Sequence, residues 1–219
     1  MKNISLNNFG VVLLFFLSCS TPSKLAKYYM LSEEQLQQQI NLTQIVRPDS
    51  VNISLLELAV FVETNRERGR LGLKSLKYDR RLQIAAQQHS QEMVTLNYFE
   101  HNSPVAKNAT VRKRMQRVGI RFGTAGENIA IHPSTRKQDV IFRQAELSAF
   151  SRYVWRNHGA DYTYLKFAHD LVHRWLNSPP HRRNILDENF KYLGVGCVQA
   201  QVDESDVFYV TQDFSSTNY

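Results

Sequence analysis

The sequence predicts a mixed α+β domain, about three layers thick, around a small antiparallel sheet. Two observations carry that expectation. Apolar residues recur at helical spacing along most of the chain, and two runs rich in β-branched and aromatic residues close it. Helices followed by strands is the order of an α+β fold. Composition agrees: the 219 residues are 42% hydrophobic and 21% charged, and 9 Gly with 6 Pro exclude collagen-like or Pro/Gly-rich disordered chains. The length suits one domain with a short appendage.

Residues 1–18 read as an export signal. Lys2 supplies a weak positive start, and Phe9–Leu17 (FGVVLLFFL) is an apolar run too short to span a bilayer. Ser18, Cys19 and Ser20 follow. A small residue and then Cys directly after the apolar run resembles the lipobox of bacterial lipoproteins, with Phe16, Leu17 and Ser18 in the three preceding positions. That resemblance implies that Cys19 becomes the acylated first residue of the mature chain. Several acyl chains, at about 0.8 kcal/mol per buried CH2, hold a protein on a membrane stably. The expected location is the bacterial cell envelope, at the outer membrane or surface, reached through an N-terminal lipid anchor. The alternative is cleavage near Ser18–Ser20 and a secreted product.

Residues 19–50 read as a tether, because Glu33–Gln39 (EEQLQQQ) offers no apolar face. The folded domain, 51–215, opens at Val51. Leu55, Leu58, Ala59 and Val62 form a helical stripe, with Gly69 as its stop. Leu71–Tyr78 is a connector. Asp79 caps the next helix, whose stripe is Leu82, Ala85, Ala86, His89 and Met93. Thr110–Val118 is a short helix ending at Gly119, and Gly126–Ile131 a short strand. A helix is expected over 137–158, and another over Leu165–Asn177 that stops at Ser178-Pro179-Pro180. Tyr192–Gln199 and Val207–Phe214 are strands, with Ala200–Asp206 as the loop between them.

Charge and cysteine usage narrow the function classes. With 27 Lys+Arg against 20 Asp+Glu, the net charge is +7, spread rather than blocked. There is no phosphate-cradling Gly-rich loop, and the chain is exported, so nucleic acid is not an expected partner. Two cysteines exclude a disulfide-dense scaffold or a four-cysteine zinc module. Cys197, in an apolar run, reads as a buried small hydrophobe.

Three clusters stand at breaks between elements, where sites are usually built. They are Tyr98–Pro104 (YFEHNSP), Gly126-Glu127-Asn128-Ile129, and Trp175–Leu186 (WLNSPPHRRNIL). Further motif pieces surround them: Asn65-x-x-Arg68, Leu76-x-x-Asp79-x-x-Leu82, Ala85-Ala86-x-x-His89, Gly194-Val195-Gly196 and Thr211-Gln212-x-Phe214. Taken in this order, from about Leu55 to Phe214, they resemble the CAP superfamily, the SCP/PR-1 or cysteine-rich secretory protein domain, in its short bacterial branch. The resemblance implies a three-layer α-β-α sandwich with a central cleft. It also implies that His101, Glu127 and His181 are the first His, the first Glu and the second His of a cleft tetrad. The second Glu is replaced by Ser178, leaving a triad.

His101, His181 and Glu127 are therefore the candidate ligands for zinc or another divalent metal, with Glu127 as third ligand or as a hydrogen-bond acceptor behind the imidazoles. The plainer reading is that both imidazoles simply hydrogen-bond Glu127. No spare general base is left. The expectation is a binding module for a lipid or protein ligand at a cleft of His101, Glu127, His181 and Ser178, with no catalytic residue assigned. The alternative is a metal-assisted hydrolase built on His101, Glu127 and His181. Ser178 is expected to cap the turn before Pro179. His169 and His173, one helical turn apart with Asp170 between them, read as a solvated or helix-packing pair, and His89 as a core histidine. Residues 135–164 read as an insertion in which basic and aromatic residues alternate, a composition suited to a membrane interface, a partner surface or packing on the domain.

Overall fold

The computed structural model describes residues 25–121, 123–134, 161–202 and 205–219. The export segment, Cys19, the helix expected over 137–158 and all of the insertion up to residue 160 lie outside the described residues.

Six α-helices and four strands are described: α1 Glu33–Gln39, α2 Ile53–Arg70, β1 Lys77–Tyr78, α3 Arg80–Thr95, α4 Val111–Arg117, β2 Ala125–Pro133, α5 Tyr164–Leu176, α6 Pro179–Leu186, β3 Tyr192–Val202 and β4 Ser205–Ser215. The strand order is β1-β3-β4-β2. The β2–β4 and β3–β4 pairs are antiparallel, and β1 runs parallel to β3. The sheet is thus mixed rather than purely antiparallel, because two residues of the expected connector add a strand at its edge. Helices α2 and α5 cover one face and α3 the other, which makes an α-β-α sandwich.

Local chemistry sets the helix starts. Asn52, Asp79, Thr110 and Thr163 each accept a backbone N–H from the first turn of α2, α3, α4 and α5. Helix α6 was not expected. Pro179 ends α5 because its ring excludes a continuing helix, yet at the first position of a new helix its missing N–H costs nothing. Ser178 holds the N-cap place, but its hydroxyl makes no cap bond, so the expected capping role is not the one observed. The polar loop expected at Ala200–Asp206 is also shorter, since pairing continues to Val202↔Ser205.

The segment expected as a tether lies on the domain from residue 25 onward. Tyr29, Leu36, Leu42 and Val46 are buried in the core shared by α2 and α5, and Ile45 bridges Thr163. Leu36 alone gives α1 its apolar contact, which a search for an apolar stripe does not detect.

Helix α3 lies almost directly on β3. A Cβ at Gly194 would stand 2.0 Å from the Gln83 nitrogen, and one at Gly196 would stand 2.1 Å from that of Gln87. Both glycines are required by backbone-to-backbone contact. Gly194→Ala is expected to cost about 3 kcal/mol in denaturant unfolding. An unchanged midpoint would show that α3 is free to move off the sheet.

Candidate functional site

Strand alternation sorts the polar residues of β2 and β4. Glu127 and Asp213 face each other across the two strands, toward the side where α3 packs. Asn128 and Gln212, the next register pair, reach the other face, where Gln212 donates to Thr64 of α2 at 2.7 Å.

Glu127 is the centre of the site. One carboxylate oxygen, Oε1, lies 2.8 Å from His101 Nδ1, and the other accepts from the buried Arg114 guanidinium. His89 Nε2 stands 3.7 Å from that second oxygen. Burial works to raise the Glu127 carboxyl, but the His101 hydrogen bond and the Arg114 charge outweigh it and hold the group below its ordinary range. Asp213 goes the other way. Burial, and then the Glu127 charge, push it well above the usual carboxylate range. Burial and the Glu127 charge thus favour the protonated form of Asp213, while His101 and Arg114 favour the ionised form of Glu127.

The loop carrying His101 is tied down on both sides. Arg114 donates to the His101 carbonyl at 3.1 Å and to the Asn108 carbonyl at 2.9 Å. Glu92 of α3 accepts from Tyr98 at 2.9 Å and also from Ser103 and Asn108. These bonds leave the His101 side chain half exposed above a buried carboxylate.

His181 enters from the first turn of α6. Its ring centroid lies 6.3 Å from that of His101, with the planes at 45°. Burial, followed by the His101 and Arg174 charges, lowers its pKa from 6.5 to about 4. Burial lowers His89 similarly, to about 4. Both rings are neutral at pH 7. Ser178 is buried beside α6, and its hydroxyl has no hydrogen-bond partner among the described residues. Asn184 fixes α6 to β2, donating to the Glu127 carbonyl and to Asn128 Oδ1, each at 2.9 Å.

The structure thus brings the His101 ring onto the Glu127 carboxylate and within 6.3 Å, centroid to centroid, of the His181 ring. They are not among the described groups whose ligand atoms all lie within 4.8 Å of one another. Protein groups engage both oxygens of Glu127, one through His101 and the other through Arg114. The remaining motif residues are clamps. Asn65 exchanges two hydrogen bonds with the Leu76 backbone, buried Arg68 donates to the carbonyls of Lys74, Ile185 and Asp187, and Trp175 donates to the Ile129 carbonyl.

Residues 62–214 match the cysteine-rich secretory protein (CAP) family. The chain belongs to this family. It is 33% identical over 149 residues to the uncharacterized protein YkwD of Bacillus subtilis (strain 168), covering 68% of this chain and 45% of YkwD. It is 30% identical over 151 residues to the uncharacterized membrane protein YlbC of the same organism, covering 69% of this chain and 32% of YlbC. Among solved structures, an extracellular protein containing an SCP domain from Bacillus anthracis superposes with a TM-score of 0.50 at 27% identity, over 84% of this chain and 44% of that one. The chain spans less than half the length of each of these relatives.

Two members of this CAP cleft were not legible in the sequence as site residues. Arg114 sits in the run Arg112-Lys113-Arg114, which looks like a solvated basic face. Asp213 did leave a trace, as the one acidic residue in the strand expected at Val207–Phe214.

The charge assignment is testable by denaturation at pH 7. Asp213→Asn replaces a group favoured in its neutral form and is expected to cost no more than about 1 kcal/mol. Glu127→Gln leaves the Arg114 charge buried without its partner and is expected to cost about 3–5 kcal/mol. Equal costs would place the proton elsewhere. The sign for His181 follows from its lowered pKa. Its neutral form contributes stability above pH 6.5, and that contribution is lost as pH falls toward about 4. Proton NMR should therefore give a His181 midpoint well below 6.5, and an ordinary midpoint would contradict its burial.

Proposed function

We propose that this chain is an extracytoplasmic, lipid-anchored CAP module that binds a lipid or protein ligand at the His101/Glu127/His181 cleft and does not turn it over. One observation carries the reading: both Glu127 oxygens are engaged, by His101 on one and Arg114 on the other, and these partners favour its ionised form. It is a fixed charge that orients an imidazole, not a base free to take a proton from water. What remains for a ligand is the half-exposed His101 ring beside the neutral His181 ring, a pair of hydrogen-bonding edges at a cleft lip.

The extracytoplasmic part is supported by the signal-like residues 1–18 and by the extracellular SCP-domain relative from Bacillus anthracis. No helix among the described residues is long and apolar enough to cross a membrane. Attachment then rests on Cys19, followed by the short stretch that leads into the docked segment from residue 25.

Two measurements test the reading. Cys19→Ala is expected to move the protein from the membrane to the soluble fraction of its host, and unchanged partitioning would remove the anchor. Vesicles of phosphatidylglycerol and phosphatidylethanolamine, and separately a solubilised envelope-protein fraction, are titrated against the chain while the His101 and His181 ring resonances are followed. One titrant is expected to shift both resonances, and His101→Ala/His181→Ala to bind it at least about 10-fold more weakly. Ester or peptide turnover that disappears in the same variant would overturn the binding reading in favour of hydrolysis.

A further inference from the structure

A second cluster of ligating side chains lies outside the cleft. Glu63 and Glu67 are one turn apart on α2, and His169 and His173 are one turn apart on α5. The two helices pack against each other, so four residues with i, i+4 spacing form a facing square. His169 Nδ1 lies 3.0 Å from Glu63 Oε1, and His173 Nε2 lies 3.2 Å from Glu67 Oε1. The two imidazole rings are 4.1 Å apart between centroids. One ligand atom from each of the four residues falls within 4.8 Å of the other three.

We propose that Glu63, Glu67, His169 and His173 form a binding site for a divalent transition-metal ion, zinc foremost, that staples α5 to α2. Two imidazoles and two carboxylates are a complete tetrahedral donor set, and the nitrogen donors select zinc and its neighbours over magnesium or calcium. Bond lengths of about 2.0–2.2 Å put the ligand atoms of such a site about 3.4 Å apart. The two His–Glu spacings are already close to that figure, and the other separations, all within 4.8 Å, need to close by at most about 1.4 Å.

The surroundings are those of a supported site. Glu63 is completely buried, and its outer oxygen, Oε2, is held by Arg66 at 2.8 Å, which leaves Oε1 directed at His169. Arg70 pairs with Glu67. Arg66 thus braces Glu63 through the oxygen turned away from His169, the arrangement by which outer groups orient metal ligands, whereas Arg70 meets Glu67 at Oε1, the oxygen that also faces His173. Both imidazoles are about 40% exposed, which gives an ion a route in. None of the four residues belongs to the cleft, and the sequence pattern of α5 alone lacked the third and fourth ligands that α2 supplies.

The test uses the full chain, stripped with a chelator and titrated with Co2+ and then Zn2+. The wild type is expected to bind one equivalent of Co2+ with the intense visible bands of tetrahedral coordination, displaced by Zn2+, and to melt about 5 °C higher when loaded. The His101→Gln/His181→Gln variant should behave identically. His169→Gln/His173→Gln should lose at least about 100-fold in affinity and the visible bands. Circular dichroism of the metal-free forms checks folding. If the double variant does not fold, His173→Gln alone, at a half-exposed ring, should still lose at least about 10-fold. The site is refuted if the wild type binds no Co2+ tetrahedrally, or if the α5 variants keep full affinity while the cleft variant loses it.

Discussion

A carboxylate with no water around it must find positive charge or give up its charge, and β2 and β4 place two such groups side by side. Glu127 and Asp213 are register partners in adjacent antiparallel strands, both withdrawn from solvent. Two anions there would repel strongly, and the Arg114 guanidinium lies against Glu127. The two carboxyls are pushed in opposite directions, Glu127 toward its ionised form and Asp213 toward its protonated form. The remaining contacts of the cleft follow from this division. Arg114 holds the Asn108 and His101 carbonyls while it neutralises Glu127, so the charge balance of the sheet and the position of the His101 loop are coupled through one side chain. A change in the cleft charge is therefore felt by the loop.

The sheet can present this pair because its layers are unusually close. Gly194 and Gly196 let the backbone of α3 rest on β3, and α3 in turn carries Glu92, which gathers Tyr98, Ser103 and Asn108. On the opposite face, Asn128 and Gln212 link the strands to Thr64 of α2, and Asn184 draws α6 and its His181 toward β2. Around the site, buried side-chain amides hydrogen-bond to one another and to backbone carbonyls across a thin sheet. Such a frame suits recognition, since a ligand meets groups already in position.

The distance between what a motif announces and what it does is visible in several residues. Asn65, Arg68 and Trp175 carry the family resemblance along the chain, and in the fold each clamps a backbone segment. His169 and His173 look like an incidental pair on α5, yet they face two buried glutamates on α2. Ser178, in the place of an expected acid, is a buried hydroxyl at the start of α6, a helix that its two following prolines had concealed.

Periodicity and capping chemistry are local, so the amino-acid order alone settled α2, α3, α5 and the two long strands. The ordered motifs also identified His101, Glu127 and His181 as the residues to follow. The burial of Leu36 under α1, the parallel edge strand β1, the push of Asp213 toward its protonated form and the role of Arg114 all depend on groups far apart in the chain. Each is decided by which faces meet and by how much water remains between them. A charge in a strand has no fixed protonation state until its neighbours across the sheet are known.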